Sequence, residues 1–465
     1  MIDTYKIVII GGGPGGYTAA IRAAIKGAKV AVVEVDKLGG VCLNRGCIPS
    51  KALIASAVEY ERMKHAESFG ITLSAAPVYD WTAMLARKDK IVSTLVGGIG
   101  QLFKSHGVDH FQGFGKISSP NEVIVTADDG KETKLKAENI IIGTGSRAAN
   151  IPPFPVDGHR IVNSDHLLVA ENLPSKIIII GAGVIGCEWA FLLSMLDVEV
   201  TMVEMLDQVL PLEDTGSAKI VERELKKRKV RFFAGTKVEK IIPGPEGITA
   251  HLSNKQTVQA NQALVAVGRR FNTEELGLEE VGIKLEKNGS IKTGPDMRTN
   301  IKNVFAIGDV RGDILLAYTA THDGSVAVDN ALGGKVKKNY SGVPSVIFTH
   351  PEVASVGLTE TQAADEYDIV VGKFPLRSLG KAHAENEIAG EVKLIADKKS
   401  DKLLGAHVVG VHATEIIHTA ALAVNRGLTV TQLGSLIFGH PVISEAIMEA
   451  AHDIHGTAVH LAKKR

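Results

Sequence analysis

Two cysteines stand five residues apart in Gly39-Gly-Val-Cys42-Leu-Asn-Arg-Gly-Cys47-Ile-Pro-Ser-Lys51. They precede an apolar-periodic stretch, 52–63, that reads as a helix beginning after Pro49. Proline suits a helix start, and cysteines at that end, with Lys51 nearby, are held toward thiolate rather than thiol. The chemistry such a pair can do is thiol–disulfide exchange. A zinc site would need further nitrogen or sulfur ligands at similar spacing, and the third cysteine, Cys187, lies 140 residues beyond Cys47. Its neighbours Val184, Ile185, Trp189 and Ala190 mark it as core filling.

Exchange with a dithiol substrate needs a base, and histidine is the side chain whose ordinary pKa suits that task near neutrality. Of sixteen histidines, His350 and His440 each precede a proline, which holds the preceding residue extended, so spacing does not choose between them. The neighbours do. Glu445 opens an expected helix five residues after His440, where a carboxylate orients an imidazole and stabilises its cation. His350 is followed by Glu352 in an expected strand-entry turn and reads as structural.

The elements that must position these groups come from a repeat. Lys6-Ile-Val-Ile-Ile-Gly11-Gly-Gly13-Pro-Gly-Gly16 recurs 170 residues later as Lys176-Ile-Ile-Ile-Ile-Gly181-Ala-Gly183-Val-Ile-Gly186. Each copy is a β-branched run and a G-x-G-x-x-G turn. A helical stretch (17–26 and 187–196) and a second strand (30–33 and 199–203) follow, with an acid, Glu34 or Glu204, at or just after the strand's end. The first glycine permits the tight turn, the second lets backbone approach a pyrophosphate, and the third lets helix pack on strand. The helix N-terminus offers unpaired N–H groups to phosphates, and the acid takes ribose hydroxyls while repelling a 2′-phosphate. Two dinucleotides are expected, the second being NAD rather than NADP.

The segment 140–146 reads as a strand and glycine turn closing one lobe, 151–155 as a connector, and 266–270 as the end of a second lobe. A further strand, 304–308, runs into Asp309, and alternating runs with helical patterns follow from residue 343. The expected fold is α/β: two nested Rossmann-like dinucleotide-binding domains, the first in two parts (1–146 and 271–342) around the second (147–270), then a C-terminal α+β domain (343–465). Length and composition agree: 465 residues with 45% apolar and 22% charged side chains describe an ordinary folded chain of several domains. Lysine plus arginine equal aspartate plus glutamate at 52 each, so no nucleic-acid or membrane partner is expected. Three cysteines cannot staple an exported protein, and MIDTYK lacks the start of a signal peptide, so a cytoplasmic location is expected.

On these motifs the sequence resembles the pyridine nucleotide-disulfide oxidoreductases, specifically the branch that oxidises dihydrolipoamide. The resemblance spans essentially the whole chain and is carried most specifically by residues 39–51, the Asp309 segment, Val343-Pro-x-Val-Ile-Phe-Thr-His350-Pro-Glu352 and His440-Pro-x-x-Ser444-Glu445. It implies FAD along the first fold, contacted at Gly11, Gly13, Gly16, Glu34, Lys51, Gly115, Thr144, Gly145, Asp309 and Ala317. It implies NAD along the second, contacted at Gly181, Gly183, Gly186, Glu188, Glu204, Val238 and Gly268, with Lys51 pairing Glu188 beside the flavin. By the same resemblance, Cys42 is the interchange thiol, Cys47 the thiol against the flavin, His440 the base and Glu445 its orienter. No metal is implied. The C-terminal domain is a dimerisation domain, with the base supplied by the other subunit of a homodimer. The implied reaction oxidises dihydrolipoamide, or dihydrolipoyl groups on the carrier protein of a 2-oxoacid dehydrogenase or glycine cleavage-type complex, and reduces NAD. A related disulfide reductase working on a non-standard carrier or another disulfide, and more remotely a non-catalytic flavin-binding subunit, are the alternatives. Two departures bear on the carrier: Tyr318-Thr319 stands where relatives carry His-Lys, and Val442 where they carry threonine.

Overall fold

The structure, a computed structural model, describes residues 4–462. Its first sheet places Thr4–Ile10 between Val30–Glu34 and Glu132–Ile142, with Asp109–Gln112 at the edge, all in parallel register. Ile7 to Ile10 are almost wholly buried, as expected of a parallel strand covered on both faces. The long strand Glu132–Ile142 serves two purposes. Its first half closes an antiparallel meander with Glu122–Thr126 and Phe114–Ser119, while its last turn takes Val304–Ala306 in parallel. Chain far beyond residue 270 therefore returns to complete the first sheet, which makes the two folds nested.

The second sheet repeats the plan. Lys176–Ile180 lies between Glu199–Val203 and Gln262–Val265, flanked by Arg231–Phe233 and Ile161–Val162, again all parallel. A three-stranded antiparallel sheet (Val238–Pro243, Ile248–Leu252, Thr257–Ala260) stands beside it. The two crossings between the folds pair as a short ribbon, Ser146–Ala148 with Arg269–Phe271. From Ser345 a five-stranded antiparallel sheet forms, its core filled by Phe374, Val392, Leu394 and Val408 and by the apolar faces of helices Ala413–Arg426 and Glu445–Ile454. Among the described residues no helix is long and apolar enough to cross a membrane.

Three helix starts come earlier than the sequence reading has them, while the helix opened by Glu445 begins where expected. The two glycine-turn helices are Pro14–Ile25 and Val184–Met195, beginning immediately after Gly13 and Gly183, which are their N-caps. The thiol helix is Cys47–Lys64, so Cys47 is its first residue and Pro49 sits inside the first turn. Proline is tolerated there because the first-turn N–H groups have no intrahelical acceptor. Cys42 lies on a separate short helix, Gly40–Arg45.

The second fold is tied to the C-terminal sheet by a buried ion pair. Asp214, N-cap of Thr215–Lys227, accepts from Lys393 Nζ at 2.7 Å, and both side chains are almost completely enclosed. Removing one partner of such a pair strands a buried charge. Lys393→Met should lower unfolding stability by about 3–5 kcal/mol, read from urea titration; an unchanged midpoint would show that the tie contributes nothing.

Candidate active site

A cavity of about 1920 Å³ runs along both folds, well above the few hundred to one thousand Å³ that suits a single small ligand. Gly11, Gly13, Glu34, Gly115, Thr144, Gly145, Asp309 and Ala317 line it, and so do Gly181, Gly183, Glu204, Val238 and Gly268. Cys42, Cys47, Lys51 and Glu188 share the same wall. Gly16 and Gly186 do not, because their work is steric. A Cβ on Gly16 would stand 1.8 Å from the Gly11 carbonyl oxygen, and one on Gly186 would stand 2.0 Å from that of Gly181. The second glycine of each motif has the opposite surroundings: Gly13 would meet only Gly40 Cα at 3.9 Å, and Gly183 nothing within 4 Å. That open space, at helix starts without side-chain caps, fits a pyrophosphate in each cradle.

The acids repeat with the same period as the glycines. Glu34 accepts from the N–H of Gly12 at 2.6 Å and of Asp36 at 2.8 Å; Glu204 accepts from the N–H of Ala182 at 2.7 Å and of Leu206 at 2.9 Å. Each carboxylate is thus fixed beside its cradle before any ligand arrives, with lone pairs left for ribose hydroxyls.

The thiols are inequivalent. The Cys42 thiol is half-buried, and hydrogen bonding to Cys47, followed by burial, pushes its pKa strongly upward. Cys47, whose exposed face opens on the cavity, goes the other way, to about 7: the bond from Cys42 lowers it most, burial opposes, and the Lys51 cation lowers it further against Glu188. The reduced pair therefore holds one proton on Cys42 and presents a Cys47 thiolate near neutrality. Cys187 is fully buried, its Sγ donating to the Ala182 carbonyl, and burial drives its pKa far up, so it is inert packing.

Lys51 Nζ donates to both oxygens of Glu188 at 2.8 Å and lies 4.7 Å from the Phe348 ring centroid, while Phe348 N–H donates to Glu188 at 3.0 Å. Phe348 stands in the Val343–Glu352 motif, but nothing in that motif points to Glu188; only the tertiary fold brings the two together. Asp309 accepts from Ser146 Oγ, which in turn accepts from Arg269 Nε at 2.6 Å, so the ribbon between the folds orients this carboxylate. Tyr318 also lines the cavity and donates to the Pro344 carbonyl. Burial, then the charges of Glu213 and Cys47, push its phenol up to about 12.

Residues 5–324 match the family model described as pyridine nucleotide-disulphide oxidoreductase, and 343–451 match that family's dimerisation domain. The chain belongs to the pyridine nucleotide-disulphide oxidoreductases. It is 40% identical to a dihydrolipoyl dehydrogenase of Bacillus subtilis, covering 99% of this chain and all of that one. It is 39% identical to a mitochondrial dihydrolipoyl dehydrogenase of Dictyostelium discoideum, covering 99% and 96%. Among solved structures it is similar to LpdA of Mycobacterium tuberculosis, with TM-score 0.91, 30% identity and coverage of 97% and 99%. The HOCl-induced flavoprotein disulfide reductase RclA of Escherichia coli gives 0.88 and 28%, covering 97% and 99%.

Besides Gly16 and Gly186, two expected site residues of this oxidoreductase lie off the cavity wall. His440 and Glu445 sit in the dimerisation domain, His440 Nδ1 2.9 Å from Glu445 Oε1, with the imidazole 79% exposed. Burial alone would raise the Glu445 carboxyl, but the Val442 N–H and the His440 ring hold it below its ordinary value. His350 is enclosed instead, and burial, then Arg228 and Arg62, push it down to about 4. Its place beside Glu387 at 3.4 Å, away from the cavity, matches a structural role.

Because Glu188 opposes the effect of Lys51 on Cys47, neutralising it frees the cation to act alone. In Glu188→Gln the pH midpoint for alkylation of reduced Cys47 by iodoacetamide should fall below about 7; a midpoint that rises would refute this electrostatic account.

Proposed function

We propose that this chain is a dihydrolipoyl dehydrogenase, oxidising dihydrolipoamide or protein-bound dihydrolipoyl groups to the cyclic disulfide and reducing NAD. One observation carries the reading: the inequivalent Cys42–Cys47 pair opens on a cavity that also holds two acid-flanked dinucleotide cradles. FAD would lie along the cradle of Gly11, Gly13 and Glu34, and NAD along that of Gly181, Gly183 and Glu204. FAD, when bound, supplies the two-electron link between dithiol and nicotinamide.

The residues then have these roles. His440 Nε2, on a ring oriented through Nδ1 by Glu445, takes a proton from the substrate dithiol. The resulting thiolate attacks Cys42 Sγ of the oxidised pair, the Cys42–Cys47 bond breaks, and Cys47 leaves as the stabilised thiolate. The second substrate thiol attacks the substrate sulfur of the mixed disulfide, its proton passing to the departing Cys42 sulfur, so that the ring closes and Cys42 is released as the thiol. Two electrons have then passed to the protein thiols. Cys47, the thiol with the lower pKa, is the better leaving group, and this fixes the direction of attack.

Each active site draws its base from a second copy of the chain. The support is that His440 projects into solvent off the cavity wall, within the segment matching a dimerisation domain. The carrier is a lipoyl-bearing protein of a 2-oxoacid dehydrogenase or glycine cleavage-type complex, and the setting is cytoplasmic. The domain limits proposed are 1–146 with 271–342, 147–270 and 343–465. A non-standard lipoyl carrier is the second reading, favoured by Tyr318, whose side chain occupies the cavity wall near Cys47. Thr319 is buried and bonded to the Leu316 carbonyl, and at Val442 the backbone N–H holds Glu445, so these departures leave the dyad intact.

Cys42→Ser should lose dihydrolipoamide-dependent NAD reduction while retaining NADH oxidation by an artificial dye; full lipoamide turnover would sink the mechanism. Mixed dimers of Cys42→Ser with His440→Gln decide the shared site. One of their two sites is intact only if base and thiols come from different chains, so about half of wild-type activity is expected, and none for an intrachain site. With Glu204 beside the second cradle, kcat/KM should favour NAD over NADP by about 100-fold or more; NADP turnover equal to that with NAD would overturn this role for Glu204.

A further inference from the structure

A buried cation lies two residues beyond Asp309. Arg311 closes the turn Gly308–Arg311, its side chain only 4% exposed. Nη1 donates to Asp323 Oδ2 at 2.7 Å and to the Tyr340 hydroxyl at 2.9 Å, Nε donates to Thr293 Oγ1 at 2.9 Å, and Nη2 reaches Asp313 at 3.3 Å. Tyr340 donates onward to the other Asp323 oxygen. The same Asp323 Oδ2 that takes Arg311 also accepts the N–H of Gly308 at 3.1 Å. Gly308 and Asp309 both line the large cavity. Asp323 itself, 1% exposed on helix Ala317–Ala331, has no water to replace a lost partner.

We propose that Arg311, with Asp323 and Tyr340, is a positioning device for the flavin: it fixes the Asp323 carboxylate in the protein interior so that Asp323 holds the Gly308 N–H and thereby the Asp309 turn against the cofactor. This rests on the reading that FAD occupies the first cradle. The device does not touch the cofactor. Its action is to hold a buried acceptor in one place by bonding both of its oxygens. The other charged or titratable groups around it are Asp313, Lys338 (which pairs with Asp313 and lies over the Tyr340 ring) and His322, whose ring is 6.0 Å from that of Tyr340. None replaces the guanidinium, because Lys338 is engaged by Asp313 and His322 lies beyond the phenol.

Without Arg311, Asp323 loses its cationic partner and its hold on the Gly308 N–H loosens. The test uses holoenzyme, with the FAD dissociation constant read from released-flavin fluorescence and thermal unfolding measured on the same samples. Arg311→Met should bind FAD about tenfold more weakly, and Arg311→Lys should restore most of the affinity. Tyr340→Phe, which keeps the ring, should weaken FAD severalfold with little change in unfolding temperature. A loss of FAD in Arg311→Met that Arg311→Lys does not restore and that merely follows lowered thermal stability would overturn the proposal, and so would an unaltered constant. Should Arg311→Met not fold, wild-type FAD affinity in Tyr340→Phe would overturn it by itself. Wild-type protein that carries no flavin would refute the cofactor reading instead, which separates the two failures.

Discussion

Lys51 Nζ reaches both carboxylate oxygens of Glu188 at 2.8 Å, and the three units of the molecule converge on this contact. Lys51 lies one helical turn past Cys47, Glu188 two residues past the last glycine of the second cradle, and the backbone of Phe348, from the C-terminal unit, donates to the same carboxylate. Glu188 is 5% exposed, so its desolvation is offset only when both partners are in place. The pair therefore specifies one arrangement of the thiol helix against the second cradle more sharply than it stabilises the fold. It also balances the thiols. Lys51 alone would lower Cys47 further, Glu188 opposes it, and the outcome near 7 is a thiolate formed at neutral pH that has not lost its nucleophilicity.

What the sequence disclosed was whatever repeats or sits close along the chain. The glycine motifs and acids, offset by 170 residues, were legible because one physical task, cradling a pyrophosphate and holding a ribose, was written twice in the same order. The structure repeats even the hydrogen bonds, Gly12 to Glu34 and Ala182 to Glu204. The thiol pair and His440–Glu445 were legible because both partners lie within five residues. The starts of the two cradle helices and of the thiol helix were not, since apolar periodicity is silent in a first turn that glycine, proline and cysteine occupy. Nor were the Phe348–Glu188 contact, the Ser146–Arg269–Asp309 relay or the Arg311–Asp323–Tyr340 cluster. Ser146 and Asp309 are 163 residues apart, and Phe348 and Glu188 are 160 apart. Pairings at that distance exist only after the nested topology has returned residues 304–311 to the first sheet.

The two His–Pro histidines show how burial separates similar local sequences. His350 is folded away among arginines that, with desolvation, keep it neutral to about pH 4, so it does not take up a second proton in the range where thiols exchange. His440 is left in water on a carboxylate whose acidity is fixed by the backbone of Val442. A single chain thus encloses everything the hydride half of the reaction requires, both cradles, the Lys51–Glu188 pair and a stabilised thiolate, yet leaves the proposed base of the thiol half outside the cavity. An exposed imidazole is a weak device for a reaction that must exclude water from a thiolate, and only a second surface closing over it changes that. On this reading the dimerisation domain does catalytic as well as structural work: association gates entry of electrons from the dithiol, while their exit to the nicotinamide is already built into each chain.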